Sequence, residues 1–336
     1  MTTGFILIVI GALCGGSFGL PSKFVRKGTP WETLWGPFFF LATVCLPLLV
    51  GPAFVKDLFA VCGSLTPSQW IGPVVFGLLW GLGSMTLGLS FAFVGLSLAY
   101  AINYGVQIAF GTIVPALIFT PDVFGTSKGA LMLGGAAVCI VGVIVSGKAA
   151  LLKEQSSGVG QAPRNLPRGI TVAVLSGVLC ACYALAFGFG GEVMQQASAA
   201  PFGNPPWRAT FAVTALALWG GSFSACGYCA YKLTANKTWN TLVRPGILPV
   251  YGIALVMALL HDGAIACFGV GCPKLGALGV SVGYAIFMSL AIFMGTVNGF
   301  LTGEWRGADA RAVRGIRIAL VILVAGVCLL GYANTL

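Results

Sequence analysis

Residues 95–102 read GLSLAYAI, and residues 279–286 read GVSVGYAI. Glycine, serine, tyrosine, alanine and isoleucine recur at the same spacing, 184 positions later, and a Gly-Thr pair follows the copies at Gly111 and Gly295. Self-similarity at this separation is typical of a chain built from repeated structural units. We therefore look for a fold made of two related halves.

Two further echoes divide the chain in the same way. Residues 11–14 read GALC and residues 177–180 read GVLC, while the Pro-Trp pair at 30–31 recurs at 206–207. The offsets grow in chain order from 166 through 176 to 184, as expected when loops lengthen between matching elements. Three matches in a consistent order favour a duplicated unit over coincidence.

The composition indicates whether the chain folds in water or in a lipid bilayer. Of the 336 residues, 58% are hydrophobic and only 8% are charged, whereas soluble domains carry about a quarter charged residues. A net charge of +10 suggests nucleic acid in a soluble protein, but in this chain it is explained by loop asymmetry across a bilayer. The composition excludes a soluble globular protein, and we expect a lipid bilayer and no nucleic acid as partner.

Apolar runs predict ten membrane-spanning helices, numbered here as spans 1–10. Each run is close to the roughly 20 residues that a helix needs to cross the hydrocarbon layer, and none alternates in the manner of a barrel strand. The predicted fold is an all-α membrane protein with spans at about 4–22, 31–52, 70–93, 95–118, 127–147, 168–190, 207–231, 246–270, 276–302 and 313–334.

The basic residues predict the orientation of these spans. Fourteen of the eighteen Lys and Arg residues lie in the loops after spans 1, 5, 7 and 9. Cytoplasmic loops carry an excess of basic residues, so these loops are predicted in the cytoplasm and both termini outside. The predicted units are residues 1–150, a basic cytoplasmic linker at 151–167, and residues 168–336.

Five spans per unit is an odd number, so the second unit enters the membrane from the opposite side. The two units are therefore predicted to form a 5+5 inverted repeat. Inverted repeats place a ligand site near the bilayer midplane, where rocking of one unit against the other exposes it alternately. This arrangement is the signature of a secondary transporter.

Span 4 carries a polar stripe at Tyr100, Asn103, Tyr104 and Gln107. The spacing i, i+3, i+4, i+7 places all four on one helix face. Polar amides are costly toward lipid, so this face meets either a cavity or another helix. One interpretation is a hydrogen-bonding wall for a neutral, hydroxyl-rich ligand, and the other is hydrogen bonding between helices alone.

Five further residues are candidates for binding such a ligand. Tyr284 and Asn298 occupy the related span 9, Trp80 and Ser84 lie one turn apart on span 3, and Tyr183 lies on span 6. Aromatic rings bind the apolar faces of sugars, although a buried aromatic ring is as often plain packing.

Span 8 contains His261 and Asp262, the only histidine of the chain and the only acid far from a predicted membrane edge. An ionisable residue at this depth is costly and is by default a candidate for a proton relay. Histidine also titrates near neutral pH. We predict that the pair couples transport to protons, with Asp262 the better carrier, and the alternative is that neighbouring groups simply satisfy both side chains.

No soluble-enzyme motif accompanies these residues. A phosphate-binding GxxxxGK[ST] loop is absent, and one histidine cannot build a His-based metal cluster. We expect no enzyme, no metal and no cofactor other than protons as coupling ion; a membrane-embedded enzyme and a ligand sensor are the disfavoured alternatives.

Cys62 and Cys272 fall in predicted outer loops, and whether the two thiols form a disulfide stays open.

Four short motifs give the chain a family resemblance. They are WETLW at 31–35, LWGLG at 79–83, Gly95-x-Ser97 with Gly111-Thr112, and GEWR at 303–306. With these motifs the chain resembles the L-rhamnose–proton symporter (RhaT) family of the drug/metabolite transporter superfamily, from the first span to the tenth. The resemblance implies a ten-helix bacterial inner-membrane importer that couples a 6-deoxyhexose to proton entry.

The function predicted from the sequence is proton-coupled import of a neutral monosaccharide, L-rhamnose or a related 6-deoxyhexose, by alternating access. The runner-up is an exporter or exchanger of metabolites or amino acids on the same fold. The sequence leaves open whether the protein is a monomer or a homo-oligomer.

Overall fold

The computed structural model describes residues 1–94, 96–156 and 166–336, and within these ranges it is built of helices without a strand. Ten of the described helical segments are long and apolar enough to cross a bilayer, so the predicted all-α membrane fold is confirmed. The helices are α1 (Thr2–Ser17), α2 (Trp31–Phe40), α3 (Leu46–Phe54), α4 (Leu58–Ser64), α5 (Pro67–Val94), α6 (Leu96–Phe119), α7 (Ser127–Ser156), α8 (Leu166–Phe202), α9 (Pro206–Ala235), α10 (Leu248–Lys274), α11 (Gly279–Leu301) and α12 (Ala310–Ala333).

Span 2 differs from the single helix that hydropathy suggests. It consists of α2, one π-helical turn over Leu41–Cys45, and α3. Pro47 has no N–H to donate to the carbonyl four residues earlier, and a wider turn accommodates such a missing bond. A short helix, α4, follows; its seven residues are too few to cross a membrane, so hydropathy did not reveal it.

Span 6 is longer than predicted, because α8 runs to Phe202 instead of ending near residue 190. Its last turns contain Glu192, Gln195 and Gln196, which lower the hydropathy but favour a helix. The helix is followed by Gly203, whose positive φ of 66° suits a helix C-terminus. At 1.5 Å per residue its 37 residues extend about 55 Å, beyond the hydrocarbon layer.

The long helices pack in matched pairs. Helix α5 packs on α8 while α10 packs on α1, α6 packs on α8 while α11 packs on α1, and α7 pairs with α12. Glycine allows the closest approaches: a Cβ atom on Gly220 of α9 would collide with the carbonyl of Val74 on α5. Small residues at helix contacts are the usual means of close packing in membranes.

Part of the predicted linker at 151–167 lies outside the described residues, as do Gly95 of the repeated segment and Arg164. Residues 151–156 form the end of α7, and α8 begins at Leu166.

Cys62 and Cys272 are both free thiols. Cys272 lies within α10 and not in a loop, because that helix continues to Lys274. Burial raises the pKa of the Cys62 thiol, on α4, to about 11, which keeps it protonated and slow to react near neutral pH.

Candidate functional site

A central cavity of about 290 Å³ lies where seven of the described helices meet. It extends from the middle of the bundle toward the end at which α2 begins. Its wall includes Phe18, which directly follows α1, Trp31, Trp35, Phe38 and Phe39 of α2, Trp80 and Ser84 of α5, Tyr100, Tyr104 and Gln107 of α6, Cys180 and Tyr183 of α8, His261 and Phe268 of α10, and Tyr284 and Phe287 of α11.

Most of the residues predicted from the sequence meet at this cavity. Eight of them line it: Trp80, Ser84, Tyr100, Tyr104, Gln107, Tyr183, Tyr284 and His261. Three do not, namely Asn103, Asn298 and Asp262. The structure therefore brings together side chains that are as much as 204 positions apart in sequence.

The polar stripe of α6 divides between two environments. The rings of Tyr100 and Tyr104 stack, with centroids 5.4 Å apart, along the cavity wall. Asn103 is fully buried and its Nδ2 donates to Ser176 Oγ of α8 over 2.8 Å. The stripe therefore meets both a cavity, at the two tyrosines, and another helix, at Asn103.

A directional chain of hydrogen bonds connects the cavity to the backbone of α5. The Tyr284 hydroxyl donates to Gln107 Oε1 over 2.9 Å, and Gln107 Nε2 donates to Asn103 Oδ1 over 2.5 Å. Asn103 then donates to Ser176, whose hydroxyl donates to the carbonyl of Gly83 over 2.8 Å. Helices α11, α6, α8 and α5 are therefore held together by one chain in which each donor has an acceptor.

Asn298 has a comparable structural position on α11. Its Nδ2 donates to Ser17 Oγ over 2.9 Å and to the carbonyl of Gly16 over 3.2 Å. This side chain fastens α11 to the end of α1 outside the cavity. The structure thus gives Asn298 packing contacts and no place in the cavity wall.

His261 and Asp262 form a pair near the middle of α10. His261 Nδ1 lies 2.9 Å from Asp262 Oδ1, and their side chains are 13% and 17% exposed. Adjacent helix residues point about 100° apart, so sequence alone did not require this contact. The imidazole of His261 lines the cavity, whereas Asp262 does not. The carboxylate is therefore connected to the cavity wall through one hydrogen bond.

Three aromatic rings surround the imidazole of His261. The centroids of Phe18, Phe38 and Trp80 lie 5.6, 5.7 and 5.6 Å from it. The contacts of Phe18 and Phe38 with the imidazole are edge-on, and that of Trp80 is tilted. His261 therefore lies among aromatic groups from the end of α1, from α2 and from α5.

Tyr183 presents an unused hydroxyl. Its ring packs against Trp80 with centroids 5.6 Å apart, and its OH is buried without a hydrogen-bond partner in the described part of the chain. Thr214 lies nearby, and its hydroxyl also lacks a bond in suitable geometry. A buried polar atom of this kind is costly, and because the Tyr183 side chain lines the cavity, its hydroxyl is a candidate partner for a ligand there.

Sequence reasoning missed the aromatic wall of α2. Trp31 and Trp35 stack with centroids 5.7 Å apart, and Trp35 meets Phe38 edge-on at 5.2 Å. The i, i+4 spacing of the two tryptophans within WETLW was an available signal. Hydropathy did not distinguish this cavity-facing surface of α2 from a lipid-facing one, because aromatic rings occur on surfaces of both kinds.

Comparison with known proteins places the whole chain in one group. The family model for the L-rhamnose-proton symport protein (RhaT) matches residues 1–334. An L-rhamnose-proton symporter of Cronobacter sakazakii is 25% identical over 98% of this chain and 97% of its own length. L-rhamnose-proton symporters of Escherichia coli and Shigella boydii are also 25% identical, over 99% of each chain.

Proposed function

The chain belongs to the L-rhamnose-proton symport family, and from this premise we propose that it imports L-rhamnose, or a related 6-deoxyhexose, together with protons. The family consists of transporters, so the chain is a transporter and not a membrane-embedded enzyme. The main structural support for proton coupling is the His261–Asp262 pair, because its imidazole forms part of an aromatic cavity at the bundle centre.

The pair supplies the proton site. With Asp262 ionised and His261 neutral the pair has a net negative charge, and one bound proton removes it. Enclosing an uncompensated charge in a dehydrated site is costly. Protonation therefore favours closure of the cavity around the sugar, and release of the proton on the far side favours reopening.

The rest of the wall supplies the sugar site. Trp35, Trp80 and Tyr104 offer flat apolar surfaces, and such rings bury the C–H faces of a pyranose. Tyr183, whose hydroxyl has no described hydrogen-bond partner, is the polar residue of this wall that we assign to the sugar hydroxyls, beside Gln107, which Tyr284 and Asn103 already bind. A methyl group at C6 suits a mainly aromatic wall better than a hydroxyl does, because an unpaired hydroxyl there loses its hydrogen bonds to water.

Alternating access arises from two inverted five-helix units. The matched helix pairs support this division: exchanging α1 with α8, α5 with α10 and α6 with α11 converts each packing pair into its counterpart. The described residues that line the cavity lie between the middle of the bundle and the end at which α2 begins. The cavity corresponds to the inward-facing state if that end is cytoplasmic.

We infer the orientation from charge. The loops before α2 and between α9 and α10 are basic, which puts them in the cytoplasm of a bacterial inner membrane and both termini outside. No Lys or Arg occurs among the cavity-lining residues that the structure describes. This absence argues against anionic substrates, which are one class open to the runner-up, an exporter or exchanger of metabolites or amino acids.

Proteoliposomes test the proposal directly. With an inward proton gradient, labelled L-rhamnose is expected to accumulate above its external concentration, and a protonophore is expected to abolish the accumulation. L-mannose, which carries a hydroxyl at C6, serves as the matched sugar and should compete at least tenfold less well, which corresponds to about 1.4 kcal/mol. Accumulation that is indifferent to the proton gradient would refute proton coupling.

A further inference from the structure

A second and larger cavity, of about 670 Å³, opens on the outer face of the bundle between α2, α9 and α10. We call it the outer groove. Phe40, Leu233, Leu242, Leu248 and Leu255 contribute to its walls, and Trp239 covers one end. The groove does not belong to the central cavity, since none of its lining residues lines the other.

The polar atoms around the outer groove are already bonded. Tyr251 OH donates to the Leu242 carbonyl over 2.7 Å, and Trp239 Nε1 donates to Thr234 Oγ1 over 3.0 Å. Glu32, the only acid in this region of the sequence, is 2% exposed and accepts bonds from Asn236 and Thr238. The groove therefore offers an apolar surface with no demand for a polar ligand.

The outer groove faces the bilayer. Phe40, Leu248 and Leu255 are 53%, 77% and 41% exposed on helices that span the membrane. Lipid tails are the solvent at such a surface, and a concave apolar site there takes an acyl chain.

Basic residues occur in the chain beside the lining residues of the groove at the α9–α10 connection. Lys232, Lys237 and Arg244 belong to that connection and its flanks, and Arg26 and Lys27 precede α2. Basic pockets between spanning helices on the cytoplasmic side recognise anionic lipid headgroups. This end is the membrane face that the proposed orientation makes cytoplasmic.

We propose that the outer groove is a binding site for an anionic phospholipid, with an acyl chain in the groove and the headgroup at Lys232, Lys237 and Arg244. Charge complementarity selects this occupant over a zwitterionic lipid. The bound chain packs on α2, whose other face carries Trp31 and Trp35 into the central cavity. The site uses none of the proposed sugar or proton residues, so its test is independent of transport.

Native mass spectrometry of the detergent-purified protein tests the site with phosphatidylglycerol and phosphatidylcholine. The wild type is expected to retain one phosphatidylglycerol about tenfold better than phosphatidylcholine. Equal retention of the two lipids would overturn the headgroup assignment. In the double variant Lys237→Gln, Arg244→Gln the preference should shrink to within about twofold, whereas an unchanged preference would also contradict the assignment.

Filling the groove tests the position of the acyl chain. A Cβ atom at Gly252, which lines the groove, meets nothing within 4 Å, so Gly252→Phe adds a ring there without a clash at its base. We expect about tenfold weaker retention of phosphatidylglycerol. Gly227→Phe is the matched control, because Gly227 is also open but does not line the groove.

Retention by Gly252→Phe equal to that of the control would place the lipid elsewhere and overturn the proposal. Melting temperatures of both variants verify their folding. If Gly252→Phe does not fold, Ala230→Phe fills the groove from α9, and the same two outcomes decide.

Discussion

Two sides of the central cavity differ in how fully their polar side chains are hydrogen-bonded. On the α6–α11 wall, Tyr284, Gln107 and Asn103 form a chain of hydrogen bonds that ends on the backbone of α5. On the α10 wall, Asp262 has one described hydrogen bond, to His261, whose ring is surrounded by aromatic groups.

This difference suggests separate roles for the two walls, one in keeping the cavity rigid and one in changing protonation state. A fully satisfied network is rigid, because changing any member leaves its neighbours unpaired. A titratable pair that depends mainly on itself can change its protonation state at lower structural cost. We therefore assign the α6–α11 wall to holding the cavity and the α10 wall to proton coupling.

The largest effect is expected from Asp262→Asn, which makes the α10 wall incapable of changing charge. Proton-driven accumulation of L-rhamnose should fall at least about a hundredfold, a loss of about 2.7 kcal/mol of coupling. Exchange of labelled for unlabelled sugar across the membrane should continue, because the aromatic wall is intact. Accumulation and counterflow in proteoliposomes measure the two effects.

Glu304→Gln serves as the matched control for Asp262→Asn. Both changes remove one carboxylate, but the side chain of Glu304 is 41% exposed at the membrane edge and that of Asp262 is 17% exposed within a span. If both variants lose accumulation equally, depth in the membrane is not what makes Asp262 special.

Breaking the other wall should cost stability instead. Asn103→Leu leaves the amide nitrogen of Gln107 without its acceptor at a fully buried position and removes the bond that the Ser176 hydroxyl accepts. We expect destabilisation of about 1–3 kcal/mol, seen as a lower melting temperature. The ratio of protons to sugar should not change in the fraction that folds; a changed ratio would show that the hydrogen-bonded wall takes part in coupling.

A smaller effect is expected for Tyr183→Phe, between the two walls. The hydroxyl has no described partner in the unliganded protein, so its removal should leave the melting temperature without sugar unchanged. Affinity for L-rhamnose should fall about tenfold if this hydroxyl bonds the sugar. Thermal shift against sugar concentration measures both, and unchanged affinity would remove Tyr183 from the site.

The smallest effect is expected for Glu304→Gln itself. Glu304 pairs with Lys23 and, at 3.8 Å, with Lys153, whose ammonium also lies over the ring of Trp305. Exposed ion pairs contribute about 0–1 kcal/mol. The melting temperature should change little, and its dependence on salt should change only slightly; a large drop would mean that this cluster closes one end of the transporter.

Hydropathy and spacing predicted the fold well because lipid allows few alternatives. Backbone groups in hydrocarbon must pair within a segment, so ten apolar runs of suitable length could only be helices. The breaks were harder to predict: the π turn at Leu41–Cys45 depends on how α2 and α3 pack around a proline.

The lining of the central cavity was predicted only in part, because a contact between two helices depends on which helices are neighbours. Helical spacing correctly placed Tyr100, Tyr104 and Gln107 on one face, but it did not reveal that Asn103 turns to Ser176 of α8. That contact depends on which helix is the neighbour, and one helix's periodicity holds no such information. The aromatic wall of α2 was hidden likewise, since Trp35 is as compatible with lipid as with a cavity.

Proton entry driven by sugar alone is the sharpest test of proton coupling through Asp262. Wild-type proteoliposomes containing a pH-sensitive dye, with equal pH on both sides, receive external L-rhamnose while labelled sugar is counted in parallel. We expect acidification of the interior in step with sugar entry for the wild type, and sugar entry without acidification for Asp262→Asn. Sugar entry into wild-type vesicles with no change in internal pH would rule out proton symport.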